Sequence, residues 1–310
     1  MSRTACVFPG QGSQSVGMLK ELAESYNEVA DTFAEASEVL GYDLWALVQQ
    51  DEDGKLNETH ITQPALLTAS VAVWRILQSK GVEVDYLAGH SLGEYSALVC
   101  AGVLSFPDAV KLVEARGQFM QQAVPAGAGA MYAIIGLDDK TIAECCQQTA
   151  IATGDVVSPV NYNSPGQVVI AGEKLATEQA AAACKEAGAK RALPLSVSVP
   201  SHCELMRPAA DQLDDALANI TLSSPNLSVI NNVDVKIEQE PGAIKDALVR
   251  QLYCPVQWTK TVEFLAAQGV DKIIEVGPGK VLSGLTKRID KSLASVAVNT
   301  PDSVASIVEA

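Results

Sequence analysis

The chain has 310 residues, of which 48% are hydrophobic and 19% charged, which excludes a disordered protein and leaves room for one large domain or two unequal ones. A formal net charge of -15 argues against nucleic-acid binding, because that function requires a basic surface. The seven cysteines contain no C-x-x-C pair, so we expect incidental thiols in a reducing compartment and no metal site.

The apolar segments indicate where the protein works. Residues 1–8 run directly into a Pro-Gly-Gln-Gly turn and contain no apolar stretch long enough for a secretory signal. The longest apolar-rich segment, 64–74, is too short to span a bilayer. We therefore expect a cytoplasmic protein that has no membrane partner.

Short apolar strands alternate with helices near both ends of the chain, which is typical of an α/β fold. Strands are predicted at 4–8, 82–88 and 273–276, and helices at 93 to about 102, at 106–123 and from 281 onward. Ser105 and Asp108 have the spacing of a capping box at the start of the helix 106–123.

The middle of the chain has a different order of elements. A glycine-rich stretch at 125–129 is linker-like, and strands are then predicted at 130–135, 156–162, 167–171 and 191–197, with helices at 138–149 and 173–187. This βαββαβ order is that of the ferredoxin-like unit. We therefore predict a larger α/β domain made of residues 1–124 and 198–310, with a smaller ferredoxin-like α+β subdomain inserted at 125–197.

Residues 89–93, Gly-His-Ser-Leu-Gly, fit the G-x-S-x-G pattern of a nucleophile at a strand-to-helix turn. The turn is so sharp that a Cβ at Gly89 or Gly93 would clash, and it lifts the Ser91 hydroxyl clear of the sheet. The amide of Leu92, at the helix N-terminus, would then face an oxyanion formed at the serine. The alternative is a structural turn with an idle serine.

A serine nucleophile needs a base within hydrogen-bond reach, and the chain has three histidines. His90 is adjacent to the serine and is predicted to point away from it, whereas His60 lies in a loop-like segment. His202 remains as the favoured base. No Asp or Glu stands out as a third triad member, so a main-chain carbonyl could orient the imidazole.

The surroundings of His202 support this choice. It follows a strand predicted to extend over 193–199, and Ser201 with Glu204 has the spacing of a capping box that opens a helix. His202 would then lie at a strand-to-helix corner like Ser91, at the carboxyl ends of parallel strands. The alternative is a surface histidine at a capped helix start.

The first predicted strand leads into Phe-Pro-Gly-Gln-Gly-Ser-Gln at 8–14. We reject dinucleotide binding, because Ser15 occupies the third glycine position and Glu35 lies within a helical pattern rather than at a strand end. The alternative is that Gln11, held between two glycines, contributes its main-chain amide as a second oxyanion donor.

Arg116 is conspicuous by its position in the helix 106–123. At about 100° per residue, this arginine falls near the middle of a continuous apolar face. A buried guanidinium keeps its proton and therefore requires an anion. That anion is either an internal Asp or Glu or a substrate carboxylate held by the bidentate fork of Arg116.

Taken with Arg116, four motifs carry a family resemblance: Gly-Gln-Gly-Ser-Gln at 10–14, Gly-His-Ser-Leu-Gly-Glu at 89–94, Pro-Ser-His at 200–202 and Glu-Val-Gly-Pro-Gly at 275–279. From residue 4 to about 290 the chain resembles the malonyl-CoA:acyl carrier protein transacylases of bacterial fatty-acid synthesis. The resemblance implies a hydrolase-like parallel-sheet domain with a ferredoxin-like insert, and an active site in the cleft between them. It also implies ping-pong transfer of a malonyl group from coenzyme A to the phosphopantetheine thiol of acyl carrier protein, without metal or redox cofactor.

The resemblance assigns the nucleophile to Ser91 and the general base and acid to His202, which the main-chain carbonyl of Gln251 would orient. The main-chain amides of Gln11 and Leu92 would form the oxyanion hole. Arg116 and Gln11 would bind the substrate, with Arg116 holding the malonyl carboxylate. A serine esterase or thioesterase could use the same Ser91–His202 pair with water as acceptor. An inactive scaffold relative is the third alternative.

Two basic clusters are candidates for docking a carrier protein. The carrier is expected to be strongly acidic, and because this chain is acidic too, local positive charge must offset the long-range repulsion. The clusters are Lys190 with Arg191, at the end of the insert, and Lys287 with Arg288, on the last predicted helix. Either could instead be a solvated face.

Overall fold

The computed structural model describes residues 3–196 and 199–309. The strands are β1 (Arg3–Phe8), β2 (Tyr86–Gly89), β3 (Gly129–Ile135), β4 (Val157–Ser164), β5 (Gln167–Glu173), β6 (Arg191–Pro194), β7 (Ser228–Ile230), β8 (Val270–Val276) and β9 (Ala294–Val298). The helices are α1 (Lys20–Ser25), α2 (Asn27–Leu40), α3 (Leu44–Gln50), α4 (Thr59–Ser79), α5 (Gly93–Cys100), α6 (Phe106–Ala123), α7 (Asp139–Thr153), α8 (Lys174–Glu186), α9 (Arg207–Leu217), α10 (Pro241–Gln251), α11 (Trp258–Ala267), α12 (Val281–Ile289) and α13 (Pro301–Val308), with a 3-10 turn at Glu204–Met206.

Five strands form a wholly parallel sheet in the order β7-β2-β1-β8-β9. Residues 5–8 of β1 are all fully buried, as expected where helices cover both faces of a parallel sheet. Because side chains alternate along a strand, Cys6 and Phe8 pack into the core under α2, α4, α5 and α6. Ala5 and Val7 face the opposite core, with α11 and α12. The active-site segments therefore rest on a sheet that is held from both sides.

The four remaining strands form a separate antiparallel sheet in the order β4-β5-β3-β6. Helices α7 and α8 pack on one face of it, through a core that includes Ile142, Ile170 and Ala180. A parallel-sheet α/β domain with a βαββαβ insert is the predicted fold class, and the structure confirms it. Helix α6 also has the predicted limits, with the side chain of Ser105 accepting a hydrogen bond from the Asp108 amide at 3.2 Å.

The end of β4 is hydrogen-bonded to the larger domain. Tyr162 donates its amide proton to the Val256 carbonyl at 3.0 Å, and the Val256 amide donates to Val160 at 2.9 Å. Thr259 adds a side-chain hydrogen bond to the Tyr162 carbonyl at 3.1 Å. One edge of the small sheet is thus continued by a strand-like bridge from the other domain.

Two predicted strands are shorter than expected. The strand predicted at 82–88 begins only at Tyr86, because the Val82 amide turns back to the Leu77 carbonyl and closes the end of α4. The strand predicted at 191–197 ends at Pro194, and the predicted strand over 193–199 is therefore wrong as far as it is described. Val197 and Ser198, where the predicted domain boundary falls, lie outside the described residues.

Across 3–196 and 199–309, no helix has both the length and the apolar character that a membrane crossing requires. The apolar segment 64–74 lies inside α4, which is buried along most of its length. Its hydrophobicity therefore serves the protein core.

Candidate active site

Ser91 lies between the end of β2 and the start of α5, with a φ of 52°. The chain can turn this sharply because its neighbours lack side chains. A Cβ on Gly89 would lie 1.9 Å from the Gly93 carbonyl carbon, and a Cβ on Gly93 would lie 2.0 Å from the Phe8 carbonyl oxygen. Neither contact is sterically possible, so glycine is required at both positions.

Asn232, which sequence reasoning did not identify, holds this turn from the side. Its Oδ1 accepts the Ser91 amide proton at 2.7 Å, and its Nδ2 donates to the Gly89 carbonyl at 2.6 Å. The side-chain amide thus pairs with the main chain on both sides of His90. Because the Ser91 amide is already occupied, an oxyanion at the serine must be bound by other donors.

His202 lies against the serine. Its Nε2 is 2.8 Å from Ser91 Oγ, and its Nδ1 is 2.6 Å from the main-chain carbonyl oxygen of Gln251. The carbonyl can only accept, so it fixes the proton on Nδ1 and leaves the Nε2 lone pair directed at the hydroxyl. Burial, followed by the nearby Arg116 cation, lowers the pKa of His202 to about 3, so the imidazole is neutral at physiological pH.

The route of the chain to His202 differs from the prediction in two respects. It arrives from β6, a strand of the antiparallel sheet, and not from the carboxyl end of a parallel strand. The predicted capping box of Ser201 and Glu204 is also wrong, because the Glu204 carboxylate pairs with Arg207 at 2.8 Å. His202 itself has a φ of 62°, which interrupts the chain before any helix can begin.

The other two histidines have other partners. His90 donates from Nε2 to Asn163 Oδ1, at 2.8 Å, across the cleft to the insert. His60 lies in the first turn of α4 rather than in a loop, and its Nδ1 is 2.8 Å from Gln121 Oε1. Of the histidine rings, the described contacts bring only that of His202 to the Ser91 hydroxyl.

Gln11 and Leu92 both line the cleft that contains Ser91. A Cβ at Gly10 would lie 2.4 Å from the His90 carbonyl oxygen, so the loop that carries Gln11 runs directly against the serine turn. Leu92 precedes the first residue of α5, where main-chain amides point out of the helix. The two residues predicted as oxyanion donors therefore line the same cavity as the serine.

The cavity that contains these groups has a volume of about 250 Å³ and is lined by residues of both the parallel-sheet domain and the insert. Ser91, His202 and Arg116 line it from the larger domain, and Met131 and Val169 line it from the insert. The reacting groups thus share one cavity with both apolar and amide side chains of the insert.

Arg116 is 1% exposed, on the apolar face of α6 as predicted. Nη1 donates to Gln63 Oε1 and Nη2 donates to Gln251 Oε1, both at 2.8 Å. Nε has no partner within the described part of the chain. Both partners are neutral amides, and the described contacts of the guanidinium include no carboxylate, so its charge is not neutralised by contact.

Gln251 connects the arginine to a buried acid. Its Nε2 donates to Glu94 Oε2 at 2.8 Å and to the Ser91 carbonyl at 3.1 Å, while its main-chain oxygen holds His202. Burial raises the pKa of Glu94 to about 7. The sequence analysis did not identify the contributions of Gln63, Asn232 and the Gln251 side chain. Glu94 belongs to the serine motif at 89–94, which is the one sequence signal that could have drawn attention to this network.

The predicted docking residues are all exposed: Lys190, Arg191, Lys287 and Arg288. Arg288 donates to Gln167, a residue of the cavity wall. Arg191 and Gln167 both pair with Ile135, from opposite sides, so they lie two strands apart, or about 10 Å. The two clusters therefore lie at the same end of the small sheet, next to the cavity wall at Gln167. Across the described ranges, no group of three or more His, Cys, Asp or Glu side chains could hold a metal ion.

Three comparisons relate this architecture to known proteins. The acyl transferase domain family matches residues 5–306. A malonyl CoA-acyl carrier protein transacylase from Salmonella typhimurium is 67% identical over 97% of both chains. Among solved structures, an acyl carrier protein S-malonyltransferase from Vibrio cholerae has a TM-score of 0.96 at 66% identity, covering 99% of this chain and 100% of its own. A malonyl-transacylase in complex with a type II PKS acyl-carrier protein has a TM-score of 0.98 at 62% identity, covering 99% of each chain.

Proposed function

This chain belongs to the acyl transferase domain family, and on that premise we propose that it transfers a malonyl group from coenzyme A to the phosphopantetheine thiol of an acyl carrier protein. The observation that carries the proposal is the 2.8 Å contact between Ser91 Oγ and the neutral imidazole of His202, in one cavity with a buried arginine. The product would supply bacterial fatty-acid synthesis. A cytoplasmic location is part of the same proposal, because donor, enzyme and carrier must meet in one compartment.

In the first half-reaction, Ser91 Oγ attacks the thioester carbonyl of malonyl-CoA while its proton passes to His202 Nε2. The negative charge on the carbonyl oxygen is bound by the main-chain amides of Gln11 and Leu92. The intermediate collapses as the carbon–sulfur bond breaks, and the imidazolium returns the proton to the departing thiolate. A malonyl ester on Ser91 and free coenzyme A result.

The second half-reaction runs the same steps in the opposite sense. The phosphopantetheine thiol of the carrier gives its proton to His202 and attacks the seryl ester, and the imidazolium then protonates Ser91 as it leaves. The Gln251 carbonyl keeps the imidazole in one orientation through both stages, since the 2.6 Å contact to Nδ1 leaves Nε2 free.

We assign the choice of acyl group to Arg116. A buried guanidinium whose two hydrogen-bond acceptors are both neutral amides favours an anion in the adjacent cavity, and a malonyl group supplies one, whereas an acetyl group does not. An internal ion pair was the competing prediction, and the two glutamine contacts argue against it. An ordinary esterase has no comparable need for a buried cation.

We also propose that the carrier docks on the two basic clusters and that the domain limits are 1–124 with 198–310, and 125–197. Reversing either cluster to Glu, Lys190 with Arg191 or Lys287 with Arg288, should raise the KM for carrier protein and leave acylation by malonyl-CoA unchanged. Reversing Lys20 and Lys111 to Glu makes the same change of charge on helices α1 and α6 and serves as the control. Equal loss of both half-reactions, or of neither, would count against docking there.

One measurement tests the function. The intact protein is incubated with malonyl-CoA and weighed by mass spectrometry, with Ser91→Ala as the matched control. We expect a stable adduct of one malonyl group on the unchanged chain and none on the variant. Rapid release of free malonate without a carrier would support a thioesterase, and no reaction would support an inactive scaffold.

A further inference from the structure

Glu94 is a buried acid to which the proposed reaction gives no role. It is 2% exposed, in the first turn of α5, three residues after the nucleophile. Its Oε2 accepts two hydrogen bonds, from Gln251 Nε2 at 2.8 Å and from the Asn232 amide at 3.0 Å. A carboxylate is costly to bury, so its presence here calls for a reason beyond packing.

The Gln251 side chain lies between two groups that dictate its direction. Its oxygen faces a donor, Arg116 Nη2, and its nitrogen faces two acceptors, Glu94 Oε2 and the Ser91 carbonyl. An amide turned the other way would direct N–H groups at the guanidinium and an oxygen at the carboxylate. The arginine and the glutamate therefore fix the amide together.

We propose that Glu94 is a positioning residue: through the side-chain amide of Gln251 it fixes the direction in which Arg116 presents its guanidinium to the substrate carboxylate. The inference rests on the proposed role of Arg116. The intervening amide also keeps the carboxylate out of contact with the guanidinium, so the cation stays available for a substrate anion instead of being satisfied internally.

Glu94 has a second contact, which suggests a different explanation. Through the Asn232 amide it could simply support the serine turn, since Asn232 bonds to both Ser91 and Gly89. A supporting role of that kind would change the reactivity of the serine toward every acyl donor alike. A role through Arg116 changes malonyl transfer more than acetyl transfer, and this difference is measurable.

The test compares kcat/KM for malonyl-CoA and acetyl-CoA in the full-length protein. In Glu94→Ala we expect the malonyl-to-acetyl ratio to fall about three- to tenfold, because an oriented hydrogen bond to the arginine's partner is lost. In Glu94→Gln the ratio should be largely kept, since an amide oxygen can accept the same two hydrogen bonds. Glu275→Gln is the matched control: Glu275 is also buried and accepts two main-chain hydrogen bonds, from Leu282 and Ser283, but is not linked to Arg116.

A second variant covers the case in which Glu94→Ala does not fold. Gln251→Met removes the side-chain amide and keeps the main-chain carbonyl that holds His202, so it should lower the ratio to a similar degree. In an Arg116→Ala background, Glu94→Ala and Gln251→Met should leave the malonyl-to-acetyl ratio at the value that Arg116→Ala alone gives, because the group that Glu94 and Gln251 position is gone.

The outcomes separate this inference from the proposed function. An unmodified Ser91 after incubation with malonyl-CoA would overturn the function, and an unchanged ratio in Arg116→Ala would overturn the role of the arginine. Suppose that Ser91 is malonylated and that Arg116→Ala lowers the malonyl-to-acetyl ratio. The positioning role of Glu94 is then refuted if Gln251→Met and Glu94→Ala leave the ratio unchanged, or if they shift it further in the Arg116→Ala background.

Discussion

Replacing Arg116 with alanine is the perturbation whose effect the structure defines best. The guanidinium is 1% exposed, so a carboxylate bound to it is shielded from water. Truncating one partner of such a buried pair costs about 2–5 kcal/mol, and every 1.4 kcal/mol corresponds to about a factor of ten. We therefore expect kcat/KM for malonyl-CoA to fall by about thirtyfold or more. Acetyl-CoA has no carboxylate to leave unpaired, so its use should hold steady or improve.

The assay is kcat/KM for both donors, together with the melting temperature. Arg116→Lys should recover little, because a point charge cannot reach both oxygens of a carboxylate as the guanidinium fork does. Arg75→Ala is the control. Arg75 does not line the cavity and forms an ion pair with Glu35, at 2.9 Å, so its loss should leave the malonyl-to-acetyl ratio unchanged. A destabilised Arg116→Ala protein with an unchanged malonyl-to-acetyl ratio would refute the reasoning, because an internal structural role affects both donors alike.

Three further outcomes are expected. His202→Ala should slow acylation by a factor of about several hundred or more, and an unchanged rate at neutral pH would remove His202 from the mechanism. Burial lowers the pKa of His202 to about 3 from an ordinary 6.5, so its base form persists as the pH falls and the acylation rate should stay level from about pH 8 to about pH 5. An inflection of the acylation rate near pH 6.5 that is still present in Glu94→Gln would contradict this prediction. An inflection that is absent in Glu94→Gln would instead be assigned to Glu94, whose pKa is about 7. Gly93→Ala should lower the melting temperature and abolish the adduct, whereas Gly284→Ala, with no atom within 4 Å of the new Cβ, should be neutral or stabilising.

The features that could be predicted from the sequence are those with a local signature. The helix of Arg116 has a periodicity that places the arginine on the buried face, and the structure has the same helix limits. The serine turn is marked by Gly89 and Gly93, whose steric requirement depends only on neighbouring residues. The βαββαβ insert is visible as an order of short elements, and that order fixed the fold class.

The features that could not be predicted depend on contacts between distant residues. The main-chain carbonyl that orients His202 lies 49 residues further on, and because any residue type supplies a carbonyl, only the family resemblance and no local pattern indicated Gln251. Asn232 contacts Ser91 from 141 residues away, with no motif around it. The predicted capping box of Ser201 and Glu204 was wrong because it assumed ordinary backbone angles, whereas His202 adopts a φ of 62°.

The bridge between β4 and Val256 has a consequence for protein engineering. The end of β4 also carries Asn163, which is hydrogen-bonded to His90 beside the nucleophile, so the insert is attached to the very turn that presents Ser91. A chimera that exchanges only the insert would separate β4 from the segment it evolved to pair with. To transfer acyl-group preference from one protein to another, the insert should therefore be exchanged together with the segment around Val256. Both partners of the hydrogen-bonded bridge then come from one parent protein.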